Sequence, residues 1–191
     1  MIFHEDLSGL IEGASTYRER IESGFFQSYM SGGVVLDIGY KGGNENAVPI
    51  FKDAIGVDLD YPGYNGRVLP FNDNYADTIF SSHVLEHISD YCGAFMEWLR
   101  VVKVNGYIVI IVPHMHLYER KNYPPSRHNM DHKRFYTPAR LLREIEESID
   151  IARYQVVHLR ENRNKTFDYF SGDPNHSVSP YEIECVLMKT A

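Results

Sequence analysis

The sequence predicts an α/β fold with a doubly wound, mostly parallel sheet and an antiparallel C-terminal strand. Short apolar runs rich in branched residues recur between residues 34 and 113, as in strands that are buried on both faces of a parallel sheet. A helical pattern separates the last two runs, and such a strand, helix, strand unit makes a right-handed crossover between parallel strands. Two segments near the C-terminus alternate apolar and polar residues, which indicates an antiparallel pair.

The first two thirds of the chain predict helical segments and four parallel strands. Residues 1–30 have apolar positions spaced by threes and fours, which predicts an amphipathic N-terminal helical segment that "SGG" at 31–33 ends. The predicted strands are "VVLDI" (34–38), "AIGVD" (54–58), "DTIFSS" (77–82) and "YIVIIVP" (107–113). Ser89 is the expected cap of the helix before the fourth strand, and Asn105-Gly106 is its expected end.

The last third of the chain predicts one helix and two strands. A helix is expected from Thr137, a capping residue that a first-turn proline follows. Segments 154–160 and 181–189 are the antiparallel edge pair. Residues 114–136 have no clear periodicity, and a loop of this length in a compact domain is more often functional than idle. We therefore expect one domain over residues 1–191, with a substrate loop at 114–136.

Composition and charge disfavour several classes of function. The formal net charge of −7 disfavours a groove that follows a nucleic-acid backbone, so no nucleic-acid partner is expected. No apolar run reaches the roughly 18–20 residues of a membrane span. The first residues carry acids where a signal peptide would carry lysines, which favours a cytoplasmic location. Cys92 and Cys185 are too far apart for a CxxC motif.

An acidic residue and a glycine-rich turn follow the first predicted strand. Asp37 ends the strand, and Gly39, Gly42 and Gly43 come directly after it. In an open parallel sheet, ligands bind beyond the carboxyl ends of the strands, where turn glycines let backbone amides approach a cofactor. A dinucleotide GxGxxG would need glycines at positions 41 and 44, and a P-loop would need GK[ST], so the spacing excludes both. What remains is an acidic residue with glycines two and six positions later.

Four segments resemble, in order and spacing, the class I S-adenosylmethionine-dependent methyltransferases, especially the small-molecule group related to the type 11 family. These segments are "VVLDIGYKGG", "AIGVDLD", "VLPFNDNYADTIFSSHVLEHI" and "RVVKVNGYIVIIVPH", which cover about residues 34–114. The resemblance implies a Rossmann-like sheet, S-adenosyl-L-methionine as the cofactor and methyl transfer as the reaction. Carried over to this sequence, it implies cofactor contacts from Asp37, Gly39 and Gly43 at the methionine end, Asp58 at the ribose, Leu59 beside it, Leu69 within 68–71 at the adenine, and Ser82 and His83 at the sulfonium and its amino acid tail.

Two departures from the family pattern concern the cofactor side. Lys41 occupies the position of the middle glycine, where it would either point to solvent or pair with the cofactor carboxylate. The stretch from Asp58 to Leu69 is too short for the helix and strand that the family usually has there, which predicts a sheet trimmed between its second and fourth strands. A non-catalytic binding protein with a reduced adenine pocket is therefore the alternative to an active methyltransferase.

Histidines in and before the predicted substrate loop are the candidates for chemistry on the acceptor. His114 directly follows the fourth strand, and His128 and His132 lie farther along the loop. Each could act as a general base that takes a proton from a hydroxyl group, bind a metal, or fill a structural role. Their spacing matches no recognised metal motif, so no metal site is assigned. Neighbouring basic and aromatic residues favour a small-molecule or sugar acceptor, and by resemblance cell-surface polysaccharide pathways are one setting.

Overall fold

A computed structural model describes residues 1–10, 13–120, 129–163, 165, 167–170, 177 and 179–191. Six strands in these residues form one sheet: β1 (Val35–Ile38), β2 (Ile55–Val57), β3 (Ala76–Ser82), β4 (Val102–Pro113), β5 (Tyr154–Arg163) and β6 (Tyr181–Lys189). Their order is β2-β1-β3-β4-β6-β5. The first four strands pair in parallel, and β6 pairs antiparallel with both β4 and β5. The predicted mostly parallel sheet with its antiparallel C-terminal strand is confirmed.

Helices cover both faces of the sheet. They are α1 (Ala14–Glu22), α2 (Phe25–Tyr29), α3 (Tyr91–Val101) and α4 (Pro138–Ser148). Ile108 and Ile110 of β4 pack in the apolar cluster that includes α3 and α4, whereas Val109 and Ile111 pack in the cluster that includes α1 and α2. This division follows from the period of two in a strand, and it confirms the doubly wound arrangement. Across the described residues, no helix is long and apolar enough to span a membrane.

The N-terminal segment differs from the predicted helical segment over residues 1–30. Residues 1–10 contain no helix, α1 begins at Ala14, and Gly24, in the left-handed region at φ +76°, separates α1 from α2. The spacing of apolar residues by threes and fours therefore continues across a point where the helix is interrupted. Its apolar residues still pack together, because Tyr17 and Phe26 lie 5.3 Å apart between ring centroids in one cluster.

The predicted ends of α3 are also corrected. Its cap is Asp90, whose Oδ1 accepts a hydrogen bond from the amide of Gly93 at 2.9 Å, and not Ser89. The helix ends at Val101, before Asn105-Gly106, because Val102 already pairs with Ala76 in the sheet. The α4 prediction is confirmed, since Thr137 caps the helix and Pro138 occupies its first turn.

The connection between β2 and β3 is short and contains no helix or strand, as predicted for a trimmed sheet. All of its residues, 58–75, are described, and they form turns and irregular backbone. Strand β6 departs from its predicted alternation, because eight of its nine residues are buried. Two of these are glutamates, Glu182 and Glu184, which lie under α1 and pair with the buried Arg20.

Candidate active site

A cavity of about 830 Å³ lies beyond the carboxyl ends of β1, β2 and β3. Asp37 of β1, Asp58 directly after β2 and Ser82 at the end of β3 contribute to its wall. Leu10 and Gly13 from the N-terminal segment line the cavity as well. A cavity at this edge is where open parallel sheets bind their ligands.

Glycine is required by the geometry of the turn after β1. The amide of Gly39 donates a hydrogen bond to the carbonyl oxygen of Val57 at 2.7 Å, which ties this turn to β2. At φ +73°, a Cβ on Gly39 would lie 2.5 Å from Cγ2 of Val84. Gly42 and Gly43 also have positive φ, and all three glycines line the cavity. The turn therefore keeps backbone close to the cavity where a side chain would not fit.

Lys41 does not line the cavity that the neighbouring glycines form. Its amine pairs with the exposed carboxylate of Asp60. Its backbone amide donates a hydrogen bond to Oδ2 of Asp58 at 2.9 Å. The side chain is thus held at the surface by an ion pair, while the backbone of the same residue positions one of the two cavity carboxylates.

The two cavity carboxylates beside the glycine turn, Asp37 and Asp58, have different environments. Asp37 is buried, and its Oδ2 accepts a hydrogen bond from the amide of Ile50 at 2.6 Å. Burial raises the pKa of Asp37 to about 7, with a further contribution from the nearby Asp58, although the hydrogen bond from Ile50 acts to lower it. Asp58 is half-buried, and its Oδ1 accepts a hydrogen bond from the amide of Leu59 at 2.7 Å. Each carboxylate oxygen of Asp58 thus accepts one amide and keeps a further lone pair.

The wall beyond β2 differs from the one that the sequence predicts. Leu59 lines the cavity with 72% of its surface exposed, whereas Leu69 is buried in the hydrophobic core and donates its amide to Glu97 at 2.8 Å. None of the residues expected beside the adenine lines the cavity, namely Val68, Leu69, Pro70 and Phe71. Instead, Tyr64 and residues 66–67 form this wall. Sequence reasoning missed them because the turn-rich stretch after β2 has no periodicity to indicate which side chains face inward.

Ser82 and His83, which the resemblance places near the sulfonium, line the cavity wall at the end of β3. The Oγ atom of Ser82 is buried and has no hydrogen-bond partner among the described residues. His83 has φ +54°, an uncommon conformation for a residue with a side chain. Its Nε2 lies 3.0 Å from Oε1 of Glu182 on β6. This contact links the cavity wall to the buried charges beneath α1.

His132 also lies in the cavity wall, in a group of carboxylates. Its Nδ1 is 2.7 Å from Oε1 of Glu119, and its Nε2 is 4.0 Å from Oε1 of Glu86. Burial acts to lower the pKa of His132, but the close contact with the carboxylate of Glu119 and the charge of Glu86 outweigh it, so the pKa is raised above its ordinary 6.5. The amide of Lys133 donates to the carbonyl oxygen of Glu86 at 2.7 Å, which holds this part of the loop against the turn after β3.

His114, another of the three histidines proposed as bases, does not line the cavity. His114 is buried outside the cavity wall, with its Nε2 3.1 Å from Oε1 of Glu161. Its Nδ1 accepts the amides of His116 and Leu117, both at 3.2 Å. Burial lowers the pKa of His114, although Glu161 acts to raise it. His128, also predicted as a base, lies outside the described residues, as does the middle of the predicted substrate loop, 121–128.

Sequence reasoning did not assign the carboxylates that surround His132. Glu86 and His87, in the 3₁₀ turn Leu85–His87, line the cavity together with Asn129 and Asp131. The "LEH" motif indicated His87 as a structural or ligand-contacting residue, but the fully buried Glu86 was not singled out. The sequence signal that could have indicated Glu86 was its place beside His87, because these two polar residues lie between the apolar Leu85 and Ile88.

Comparison with known proteins agrees with this architecture. Residues 36–110 match a methyltransferase domain model of the type 11 group. No curated protein matches the chain. A similar structure comes from the complex between the Haloferax volcanii Trm112 methyltransferase activator and the putative methyltransferase, with 11% identity, a TM-score of 0.61 and coverage of 93% of this chain and 97% of that one.

Two further structures extend the comparison. A putative methyltransferase from Bacillus halodurans C-125 has 15% identity, a TM-score of 0.54 and coverage of 87% and 96% of the two chains. The [4+2]-cyclase SpnF has 12% identity, a TM-score of 0.56 and coverage of 98% and 86%. Identities this low show the fold alone, while the domain match supports S-adenosylmethionine-dependent methyl transfer in general. Residues 36–110 therefore resemble the methyltransferase domain of the type 11 group, in a chain with the Rossmann-like fold that class I S-adenosylmethionine-dependent methyltransferases share.

Proposed function

We propose that this protein transfers the methyl group of S-adenosylmethionine to a hydroxyl group of a small molecule or sugar. The observation that carries the proposal is the single cavity that joins the glycine turn and its two carboxylates to the His132 group. The alternative is a binding protein without turnover, which would keep the glycine turn and its two carboxylates but would need no base.

The residues of the cavity fit the cofactor. The glycine turn at 39–43 and the buried Asp37 would hold the methionine end, where a carboxylate suits the cofactor's ammonium group. Asp58 has free acceptor capacity on both oxygens, which suits a pair of ribose hydroxyls. Ser82 Oγ, which has no described partner, would gain one from the bound cofactor. S-adenosylmethionine, when bound, supplies an electrophilic methyl group on a sulfonium.

The protein's own contribution to the reaction is then to bind the acceptor and remove its proton. Glu119 lies 2.7 Å from Nδ1 of His132, which favours the tautomer that is protonated at Nδ1. This tautomer leaves Nε2 as the acceptor for the hydroxyl proton. The same Glu119 stabilises the imidazolium that forms, in agreement with the raised pKa of His132.

Replacing Asp58 with alanine is expected to weaken binding of S-adenosylhomocysteine by roughly 1.5–3 kcal/mol, the range for hydrogen bonds to a charged group. Titration calorimetry measures the change. The matched control is Asp60→Ala, which removes an exposed carboxylate that pairs with Lys41 and does not line the cavity. Equal dissociation constants for the two variants would contradict the ribose assignment of Asp58.

Replacing His132 with alanine is expected to lower kcat by about 10²–10⁴-fold, the usual contribution of a positioned base, with binding of S-adenosylhomocysteine intact. Because the base must be neutral, the wild-type rate is expected to fall as the pH drops through the raised pKa of His132. Turnover is measured with a panel of hydroxyl acceptors, and His116→Ala, an exposed histidine of the same loop, is the control. Cofactor binding without turnover on any acceptor would favour the binding protein.

A further inference from the structure

Glu86, His87 and His132 form a compact set of metal-ligand groups in the cavity wall. Each offers one ligand atom, and these atoms lie within 4.8 Å of one another. Two imidazoles and one carboxylate are a ligand set of catalytic zinc sites and of related divalent transition-metal sites, which keep open positions for water or substrate. We propose that these three residues bind one divalent transition-metal ion, with its open positions facing the cavity that all three line.

A carboxylate lies close to Nδ1 of each imidazole, which is where metal-ligating histidines usually have one. Oε1 of Glu119 lies 2.7 Å from Nδ1 of His132, and Oδ2 of Asp131 lies 3.3 Å from Nδ1 of His87. A carboxylate at Nδ1 fixes the ring orientation and leaves Nε2 as the ligand atom, and it raises the basicity of that nitrogen. For His132, Nε2 is the atom that faces Glu86, at 4.0 Å from Oε1.

The backbone holds the two halves of the site together. Glu86 and His87 lie in one 3₁₀ turn, and His132 lies in a separate segment. The amide of Lys133 donates to the carbonyl oxygen of Glu86 at 2.7 Å, and the guanidinium of Arg134 donates to the carbonyl oxygen of Ser89 at 2.9 Å. Residues that follow His132 thus clamp the turn that carries its partners, so the ligand set does not depend on flexible side chains alone.

Charge around the site favours a cation. Glu86 and Glu119 are buried, Asp131 is exposed, and the imidazoles of His87 and His132 are neutral when they ligate a metal. Lys133, which directly follows His132, pairs with Asp131 at 2.6 Å. A bound divalent ion would add positive charge beside the buried carboxylate of Glu86.

Ligand geometry sets the size and type of ion. With bonds of about 2.0–2.2 Å, neighbouring ligand atoms on a metal lie about 3–3.5 Å apart, so the set must contract by about 1 Å on binding. Nitrogen ligands favour zinc, cobalt, iron or manganese over magnesium, which prefers oxygen. The consequence for catalysis rests on the proposed methyl transfer: with an ion bound, Nε2 of His132 would be a ligand and no longer the base, and the ion would instead lower the pKa of an acceptor hydroxyl.

The test measures metal binding directly, on chelator-treated protein without cofactor. Titration with Co²⁺, followed by its visible absorption, and with Zn²⁺, followed by calorimetry, is expected to give one equivalent of binding. His87→Ala and Glu86→Gln are expected to raise the dissociation constant at least 100-fold. His116→Ala, which removes an exposed histidine outside the set, is expected to leave it unchanged.

Separate measurements distinguish this inference from the proposed function. The side chain of His87 is 29% exposed, so His87→Ala decides the question even if the buried Glu86→Gln fails to fold, and circular dichroism checks both. Binding of S-adenosylhomocysteine is measured on the same samples. Absence of saturable Co²⁺ and Zn²⁺ binding, or equal binding by wild type and His87→Ala, would overturn the metal site, whether or not the cofactor analogue binds.

Discussion

Replacing Arg20 with alanine is expected to lower the free energy of unfolding by about 3–5 kcal/mol at pH 7, the cost of breaking a buried ion pair by removing one partner. Arg20 is 1% exposed, and its guanidinium contacts Oε2 of Glu182 at 2.5 Å and Oε1 of Glu184 at 3.0 Å. Glu184 keeps other partners, including Arg160 at 3.3 Å. The larger loss therefore falls on Glu182, which is fully buried and keeps His83 at 3.0 Å.

The pH dependence of this defect tests its electrostatic origin. Burial acts to raise the pKa of both glutamates, but Arg20 and the neighbouring hydrogen-bond donors hold the pKa of Glu182 below its ordinary 4.5 and that of Glu184 at about 2. In the wild type, these groups contribute stability that is present above pH 4.5 and lost as the pH falls through the lowered values. In Arg20→Ala, burial is no longer opposed by the guanidinium and is expected to raise the pKa of these glutamates, so that they take up protons above pH 4.5. The difference between the variant and wild type is therefore expected to shrink as the pH falls from 7 to 4.

Denaturation in urea measures both effects, with Arg18→Ala as the matched control. Arg18 is an exposed arginine on the same helix, and surface substitutions of this kind usually change stability by less than about 0.5 kcal/mol. If Arg20→Ala and Arg18→Ala changed the free energy of unfolding equally, the result would mean that α1 is held by its apolar contacts alone. A constant difference from pH 7 to pH 4 would attribute the loss to packing.

The sheet was predictable because its strands carry a local signal. The branched apolar runs of β1 and β4 reflect burial on both faces, and that burial depends only on their place in a parallel sheet. Strand β6 shows the limit of this reasoning. Glu182 and Glu184 alternate with apolar residues as on a solvent-facing strand, but their compensating charge, Arg20, is more than 160 positions away in the sequence. Pairing over that distance leaves no periodic pattern.

The cavity was predictable in part for the same reason. Asp37, Gly39 and Ser82 lie where a parallel sheet places the ends of its strands. His114 also follows a strand end, but β4 adjoins β6, and the ring of His114 turns toward Tyr181 of β6, 5.3 Å away between centroids. The position of a residue along its strand predicts the edge of the sheet at which it lies, whereas the direction of its side chain depends on the neighbouring strand.

Replacing Asp37 with asparagine is expected to change stability and cofactor binding in opposite directions. Asparagine keeps an oxygen that can accept the amide hydrogen bond of Ile50, but it removes the ionisation of a buried carboxyl whose pKa is raised from 3.8 to about 7. A group with a raised pKa contributes stability that is present below pH 3.8 and lost as the pH rises through 7. Over that range the loss is on the order of 4 kcal/mol. At pH 8 the variant is therefore expected to be more stable than wild type, and at pH 4 about equal.

Binding of S-adenosylhomocysteine is expected to weaken in the same variant by roughly 1.5–3 kcal/mol, because the cofactor's ammonium group would lose a charged partner. Thermal melting at pH 4 and pH 8 and calorimetry at pH 8 measure the two effects, with Asp60→Asn as the exposed control. Lower stability of Asp37→Asn at pH 8 would contradict the raised pKa, and unchanged binding would contradict the contact with the methionine end. Opposite effects would mean that the buried charge of Asp37 destabilises the protein without cofactor and that a positively charged ligand compensates this charge. The cost to stability would then be explained by function and not by packing.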